Sequence, residues 1–256
     1  MLGVFRCPMP RRRTRHVQQE LVFKTWGGKR KGAGRPSKKR RASERHDTRP
    51  ELRPNSVLLV TLRAHEGVGS LRRPGGYHAV RYALCAVIER EHFRICHVSI
   101  QSNHVHLVVE ADSKDALARG LQAFQISAAK HLNASIVRDG LRRRGVVFAD
   151  RYHQRLLGSP RQVRNALAYV LNNWRRHGED HAFPTRKVDP YSSGVVFGGW
   201  KEREGAVFLY PLPRGYLNLS ISFPRTWLLR VGWRNAGTIG LHDVPGPDLK
   251  RALLGR

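Results

Sequence analysis

Cysteines and long apolar runs are scarce in this 256-residue chain, and each shortage excludes a class of protein. The three cysteines, Cys7, Cys85 and Cys96, form no CxxC pair, which excludes a cysteine-built zinc site and indicates a reducing compartment. No apolar run approaches the roughly 18 residues that a membrane-spanning helix needs. The first residues are basic but lack the apolar stretch of a secretory signal, so we expect a cytoplasmic protein with no membrane partner.

Acidic residues are also few: 19 Asp and Glu face 47 Lys and Arg, which gives a net charge of +28. A charge of this size indicates a polyanionic partner, most simply a nucleic acid. The excess is greatest in residues 1–53, which hold 17 basic and 4 acidic residues and few apolar ones. Because such a segment cannot offset its ordering entropy by burial, we interpret it as a flexible basic arm.

Within this arm, the Gly-Arg-Pro sequence at 34–36 resembles short hooks that lie in the DNA minor groove. A solvated tail that binds any phosphate backbone is the alternative, and it is the one we favour. Either interpretation makes Arg30, Lys31 and Arg35 candidate DNA-binding residues.

Residues 54–180 carry the periodicity of a folded domain. Apolar runs and helical spacings predict strands at 56–62, 93–100, 104–110 and 151–157, and helices at 77–91 and from about 113. The polar residues 101–103 predict a hairpin turn. The order β-α-β-β-α-β is that of an α+β, ferredoxin-like split β-α-β fold, which by itself decides nothing about activity.

A further helix follows, and it has the clearest start signal in the chain. Ser159, Pro160 and Gln162 supply an N-cap, a first-turn proline and a residue suited to a capping box. Its apolar stripe is formed by Val163, Leu167, Val170, Leu171 and Trp174. Tyr169 lies away from that stripe, between Asn165 and Asn173 at i−4 and i+4, so the helix presents a phenol flanked by amides.

Residues 181–256 form an extension rich in Gly, Pro and aromatic residues. We predict an irregular tail with strand-like pieces at 207–209 and 216–223 and a short amphipathic turn between Trp227 and Trp233.

The strand at 104–110 carries two histidines, His104 and His106, that project from one face because side chains alternate along a strand. Two imidazoles on one face can share a divalent cation. Two half-exposed histidines on a sheet surface are the alternative that the strand alone leaves open.

The segments Ser102–Val109 and Ala168–Asn173 together resemble the single-tyrosine HUH transposases of the insertion-sequence and REP-associated type. The Arg151-Tyr152-His153 segment and the basic arm are similar to the same family. The resemblance covers residues 57–176, and the arm and the long tail bring the chain nearer the REP-associated branch. It implies an HUH-type domain with an added tyrosine-bearing helix that cleaves and rejoins single-stranded DNA through a 5′-phosphotyrosine intermediate, at hairpin-forming repeats.

By this resemblance Tyr169 is the nucleophile, and His104, His106 and Asn173 hold the metal, with Asn173 in place of the glutamine of other members. Imidazole ligands alone favour zinc or another transition metal. Family members use Mg²⁺ or Mn²⁺, and we expect one of these, with Mn²⁺ better matched to imidazole. The expected partner is single-stranded DNA, and the protein is a monomer or a homodimer.

Two alternatives stay open at this stage. Tyr152 is a competing nucleophile, although its neighbours Arg151 and His153 suit all three residues to DNA contact. Arg175 and Arg176 are further candidates for binding the DNA backbone.

The competing function is a non-catalytic DNA-binding regulator on the same fold. An RNA-recognition sheet is disfavoured because the 104–109 strand lacks aromatic residues for base stacking.

Overall fold

The computed structural model describes residues 48–182, 185–203 and 210–243. The predicted basic arm up to residue 47, with Arg30, Lys31 and Arg35, and the predicted strand at 207–209 lie outside these ranges. The strands are β1 (Ser56–Arg63), β2 (Phe93–Ile100), β3 (His104–Ala111), the two-residue β4 (Val137–Arg138) and β5 (Leu141–Arg142), and β6 (His153–Leu156); the helices are α1 (Pro74–Cys85), α2 (Lys114–Ser135), α3 (Pro160–Arg176) and α4 (Trp227–Arg230).

The main sheet has the order β2-β3-β1-β6, with β3 antiparallel to both β1 and β2, and β6 antiparallel to β1. β1 and β2 are therefore parallel strands separated by β3, which is the split β-α-β arrangement. This order confirms the predicted α+β, ferredoxin-like fold class. The hairpin turn at 101–103 joins β2 to β3 as predicted.

One face of the sheet packs against α1 and α2 through apolar side chains. Leu58, Val60 and Leu62 of β1 and Val105, Leu107 and Val109 of β3 belong to this core. From α2, the predicted stripe Leu117, Leu121, Phe124 and Ala128 is fully buried. Position 120 of that helix is a glycine, and a Cβ there would lie 2.2 Å from the Phe93 ring. This face is a continuous hydrophobic layer.

The other face packs against α3, which begins as predicted. Ser159 accepts a hydrogen bond from the Gln162 amide, and the Gln162 side chain accepts one from the Gly158 amide. All five predicted apolar positions of α3 are buried. Residues of the C-terminal part, among them Trp200, Leu229 and Trp233, pack in the same core cluster. Helix α3 is thus enclosed between the sheet and the C-terminal part of the chain.

Two predicted elements differ from the structure. The first helix spans Pro74–Cys85 rather than 77–91, since Val87 bonds back to Leu84 in a turn that buries its side chain. The strand predicted at 216–223 is wrong, because the β2 edge has little left to pair with it. Residues 191–193 bond to that edge, and a bulge interrupts the β2–β3 ladder at Cys96. Of the predicted strand, only Ser222 forms a backbone hydrogen bond with the β2 edge.

The short amphipathic turn predicted near Trp227 is present as α4 and the 3-10 turn that follows it. Within the described ranges, no helix combines the length and apolarity that crossing a bilayer requires.

Candidate active site

The two histidines of β3 lie at the end of the strand nearest the β2–β3 turn, on the α3 side of the sheet. In the antiparallel ladders, His106 is paired with Thr61 on β1 and Ser99 on β2, and Thr61 is paired in turn with His153 on β6. Because directly paired residues share a face, a polar row crosses the sheet at this level. It interrupts the hydrophobic surface that Leu59 and Val108 form farther along the strands.

The imidazole rings of His104 and His106 converge on one point. Their Nε2 atoms are 2.9 Å apart, and the ring centroids are 4.5 Å apart in an edge-on arrangement. Asn103 Oδ1 can only accept a hydrogen bond, and it lies 2.6 Å from His104 Nδ1. The Nδ1 atom of His104 is therefore the protonated nitrogen that donates this bond, and His104 Nε2 carries a lone pair. His104 is thereby held in the tautomer that binds a metal through Nε2.

Thr61 orients the second imidazole, that of His106, since the Thr61 hydroxyl lies 3.0 Å from His106 Nδ1. A hydroxyl can donate or accept, so it serves both tautomers of His106. When Thr61 donates, His106 Nε2 bears the proton and bonds to His104. When Thr61 accepts, both Nε2 lone pairs face the same point, an arrangement that is favourable only with a cation between them.

Burial keeps both rings neutral. The pKa of His104 is lowered to about 4, first by desolvation and then by His177 and Arg63. The pKa of His106 is lowered well below its usual value, also mainly by desolvation. Neutral imidazole is the form that binds metals, so neither ring has to lose a proton at neutral pH to do so.

Tyr169 of α3 meets this pair. Its Oη lies 3.1 Å from His106 Nε2, and the ring centroids of Tyr169 and His106 are 4.9 Å apart. The half-buried phenol has a raised pKa, chiefly through desolvation, while Arg176 two turns later on α3 lowers it in part. The phenol oxygen therefore reaches the point on which the two imidazoles converge, in a site where its ionised form needs a neighbouring positive charge.

Asn173, one turn beyond Tyr169, is completely buried, and neither its Oδ1 nor its Nδ2 has a hydrogen-bond partner among the described residues. A buried amide without a partner costs about 1–3 kcal/mol, which a ligand would recover. This orphaned amide, on the same helical stripe as Tyr169, and the two convergent Nε2 atoms fit a divalent cation. No group of three or more His, Cys, Asp or Glu suited to a metal occurs in the described ranges.

The sequence reasoning gave no role to four residues around the pair. Thr61 and Asn103 orient the two rings, and Arg63 is the register partner of His104. His177, the C-cap of α3, places its exposed ring 6.0 Å from that of His104. Its position at i+8 from Tyr169 is the signal that could have found it. Strand pairing, which joins Thr61 and Arg63 to β3, is not visible in the sequence.

The predicted DNA-binding residues fall in different places. Exposed His153 shares the face of His106, whereas Tyr152 packs against the core on the α1 and α2 side, under the guanidinium of Arg49 at 3.5 Å. Arg151 is exposed, next to Tyr152. The Arg175 guanidinium donates to the carbonyls of Leu241 and Lys187, which assigns it to holding the C-terminal part against α3.

Comparison with known proteins shows what this part of the chain is similar to. Residues 74–173, which contain the histidine pair, Tyr169 and Asn173, match the family model described as IS200-like transposase. This match confirms the resemblance found in the sequence: residues 74–173 are similar to the IS200-like transposases.

One solved structure similar to this chain is that of a REP-associated tyrosine transposase bound to a REP hairpin. The two share 16% sequence identity over 66% of this chain and 89% of that one, with a TM-score of 0.47. No curated protein matches the chain.

Proposed function

We propose that this protein cleaves and rejoins single-stranded DNA by transesterification, with Tyr169 as the nucleophile and a divalent cation, Mg²⁺ or Mn²⁺, held by His104, His106 and Asn173. The observation that carries the proposal is the 3.1 Å approach of Tyr169 Oη to His106 Nε2, at the point where the two imidazoles converge. This approach puts the phenol oxygen next to the nitrogens that would hold the cation.

In the cleavage step, Tyr169 Oη attacks a phosphorus atom of the DNA. The Oη–P bond forms, the bond from phosphorus to the 3′ oxygen breaks, the phenol loses its proton and the departing oxygen gains one. The products are a 5′-phosphotyrosine and a free 3′-hydroxyl. Because the new ester conserves the energy of the old one, a second 3′-hydroxyl can reverse the step and join two strands without ATP.

The protein groups around the phenol supply position and charge. A phenol with a raised pKa is a poor nucleophile at neutral pH. Arg176 favours its ionised form, and Arg63, beside His104, is placed to contact a phosphate oxygen. A bound cation would act as a Lewis acid on the scissile phosphate. Asn103 and Thr61 keep the two imidazoles turned toward it.

The proposal is tested by incubating the protein with a 3′-labelled single-stranded oligonucleotide pool from the gene's flanks, including hairpin-forming segments, with Mn²⁺. A denaturing gel should show a covalent protein–DNA band. The band should vanish with Tyr169→Phe and with chelator, and persist with Tyr152→Phe, because Tyr152 packs on the other side of the sheet. Tight binding with no band would instead support a DNA-binding regulator.

A further inference from the structure

A second surface, away from the histidine pair, combines exposed aromatic and basic side chains. Within residues 223–234, Phe223 is 92% exposed, Trp227 58% and Val231 49%. Three exposed arginines are interleaved with them. We call this set the aromatic–arginine surface: Phe223, Arg225, Trp227, Arg230, Val231 and Arg234. Large apolar side chains exposed together in this way mark interaction sites.

The segment is fixed in place by a buried carboxylate. Glu110 at the end of β3 is fully buried and accepts hydrogen bonds from the Arg225 amide at 2.9 Å, the Thr226 amide at 2.9 Å and the Thr226 hydroxyl at 2.8 Å. Its ion pair with Arg94 at 2.9 Å completes the cluster. A buried charge with this many partners anchors the backbone between Phe223 and Trp227 firmly.

The underside of the segment is packed. Leu229 and Trp233 are 2% exposed and belong to the same core cluster as the apolar stripe of α3. Gly232 allows the Trp227 ring to lie against the backbone, since a Cβ there would come within 2.6 Å of the ring. The Trp227 ring is thus held in position before any ligand arrives, which reduces the entropic cost of binding.

The charge of the surface specifies the partner. None of Arg225, Arg230 and Arg234 forms an ion pair with another described residue. Asp243, the one acidic residue in 210–243, is bound by Arg164. A second copy of this chain would bring the same positive charge and be repelled. A polyanion with flat apolar groups satisfies both the arginines and the rings.

We propose that the aromatic–arginine surface binds single-stranded DNA, with bases stacked on Phe223 and Trp227 and phosphates on the arginines. The Cα atoms of Phe223 and Trp227 are at most about 14 Å apart, so neighbouring nucleotides of one strand can reach both. This inference deepens the proposed function, because Leu229 and Trp233 join the surface to the helix that carries Tyr169. A strand held on the surface is thereby kept in a fixed relation to the nucleophile.

The test measures binding of the full chain to a fluorescent 30-nucleotide oligo-dT by anisotropy, in chelator, so that cleavage plays no part. Phe223→Ala and Trp227→Ala should each weaken binding about tenfold, since each removes one stacked base, with the salt dependence unchanged. Trp227→Phe should retain most of the affinity. Arg230→Gln should instead reduce the log–log salt slope by about 0.7, the contribution of one phosphate contact on a single strand.

Tyr82→Ala is the matched control, because Tyr82 is 50% exposed but lies on α1, on the far side of the sheet. It should bind like the unmodified protein. Equal affinity of Phe223→Ala, Trp227→Ala and Tyr82→Ala would overturn the inference, as would a dimer in solution that Trp227→Ala dissociates. Because no covalent step is measured, failure to form the Tyr169 adduct would leave this result standing.

Discussion

The two faces of the central sheet are built differently, although the same strands supply both. Toward α1 and α2, Val105, Leu107 and Val109 of β3 enter a wholly apolar layer. Toward α3, the alternate residues of the same strand include His106 and Glu110, both buried and both surrounded by polar partners. On β3, one face follows the rule that buried residues are apolar, and the other departs from it at two positions.

The two departures are stabilised differently, and this separates their roles. Glu110 is satisfied by partners within the chain, so its charge serves structure. His106 and Asn173 are not satisfied in the same way, since the two Nε2 atoms face each other and the amide has no described partner. Buried groups left incomplete by the fold are candidates for ligand binding, because the ligand recovers the cost.

The largest expected effect comes from substituting, one at a time, two adjacent residues of β3 that lie on opposite faces of the sheet. His106→Ala should weaken Mn²⁺ binding, followed by electron paramagnetic resonance, by more than about 100-fold, since even groups that only orient a ligand contribute 10–100-fold. The fold should survive, because the change removes a polar ring from the edge of the core.

Leu107→Ala is the matched control, with its side chain on the opposite face. It should cost about 2–5 kcal/mol of unfolding free energy in urea denaturation while leaving Mn²⁺ affinity within about twofold. Loss of metal binding in both variants, or in neither, would show that the two faces do not divide structure from chemistry as described.

The α3 face should also make the protein sensitive to acid. His97, buried there beside Phe197, has its pKa lowered from 6.5 to about 4 by desolvation. As the pH falls through this window the unfolded chain takes up a proton before the folded one does. The contribution of His97 to the free energy of unfolding is therefore fully present above pH 6.5 and is lost toward pH 4, by up to about 3 kcal/mol.

Chemical denaturation of the wild type and His97→Gln at a series of pH values checks this expectation. The variant should lose less stability between pH 6.5 and 4, with His104 and His106 accounting for the rest. An identical pH profile for the two proteins would contradict the assignment.

A smaller effect is expected from Asn103, which lies in the turn before β3 and orients His104. Asn103→Ala should reduce Mn²⁺ affinity about tenfold, because His104 loses the acceptor that selects its tautomer. Ser102→Ala, at the exposed neighbouring position of the same turn, is the control and should change little. Titration calorimetry would reveal the difference; unchanged affinity in Asn103→Ala would remove its orienting role.

Local signals in the sequence predict much of this molecule. The cap of α3 at Ser159 and the alternation that puts His104 and His106 on one face depend on residues close in the chain, and the structure agrees with both. Tyr169, predicted to lie away from the apolar stripe, is not part of the buried core but packs against the same cluster as that stripe. The approach of α3 to β3 is a tertiary contact. From the residues alone it could only be implied by the family resemblance.

What the sequence could not supply depends on distant partners. Glu110 anchors Thr226 across more than a hundred residues, and Thr61 meets His106 through strand pairing. The predicted strand at 216–223 failed for the same reason, because residues 191–193 occupy the β2 edge. Periodicity describes a segment, whereas competition for an edge is decided by the whole fold.

The central claim is that Tyr169 is the residue that bonds to DNA, and mass spectrometry of the trapped adduct tests it most directly. Trypsin cuts after Arg164 and Arg175, and after Arg151 and Arg155, so the two candidate tyrosines fall in separate peptides, 165–175 and 152–155. We predict that, after nuclease digestion, the mass of the remaining nucleotide is found on peptide 165–175. Its presence on peptide 152–155 would contradict the account.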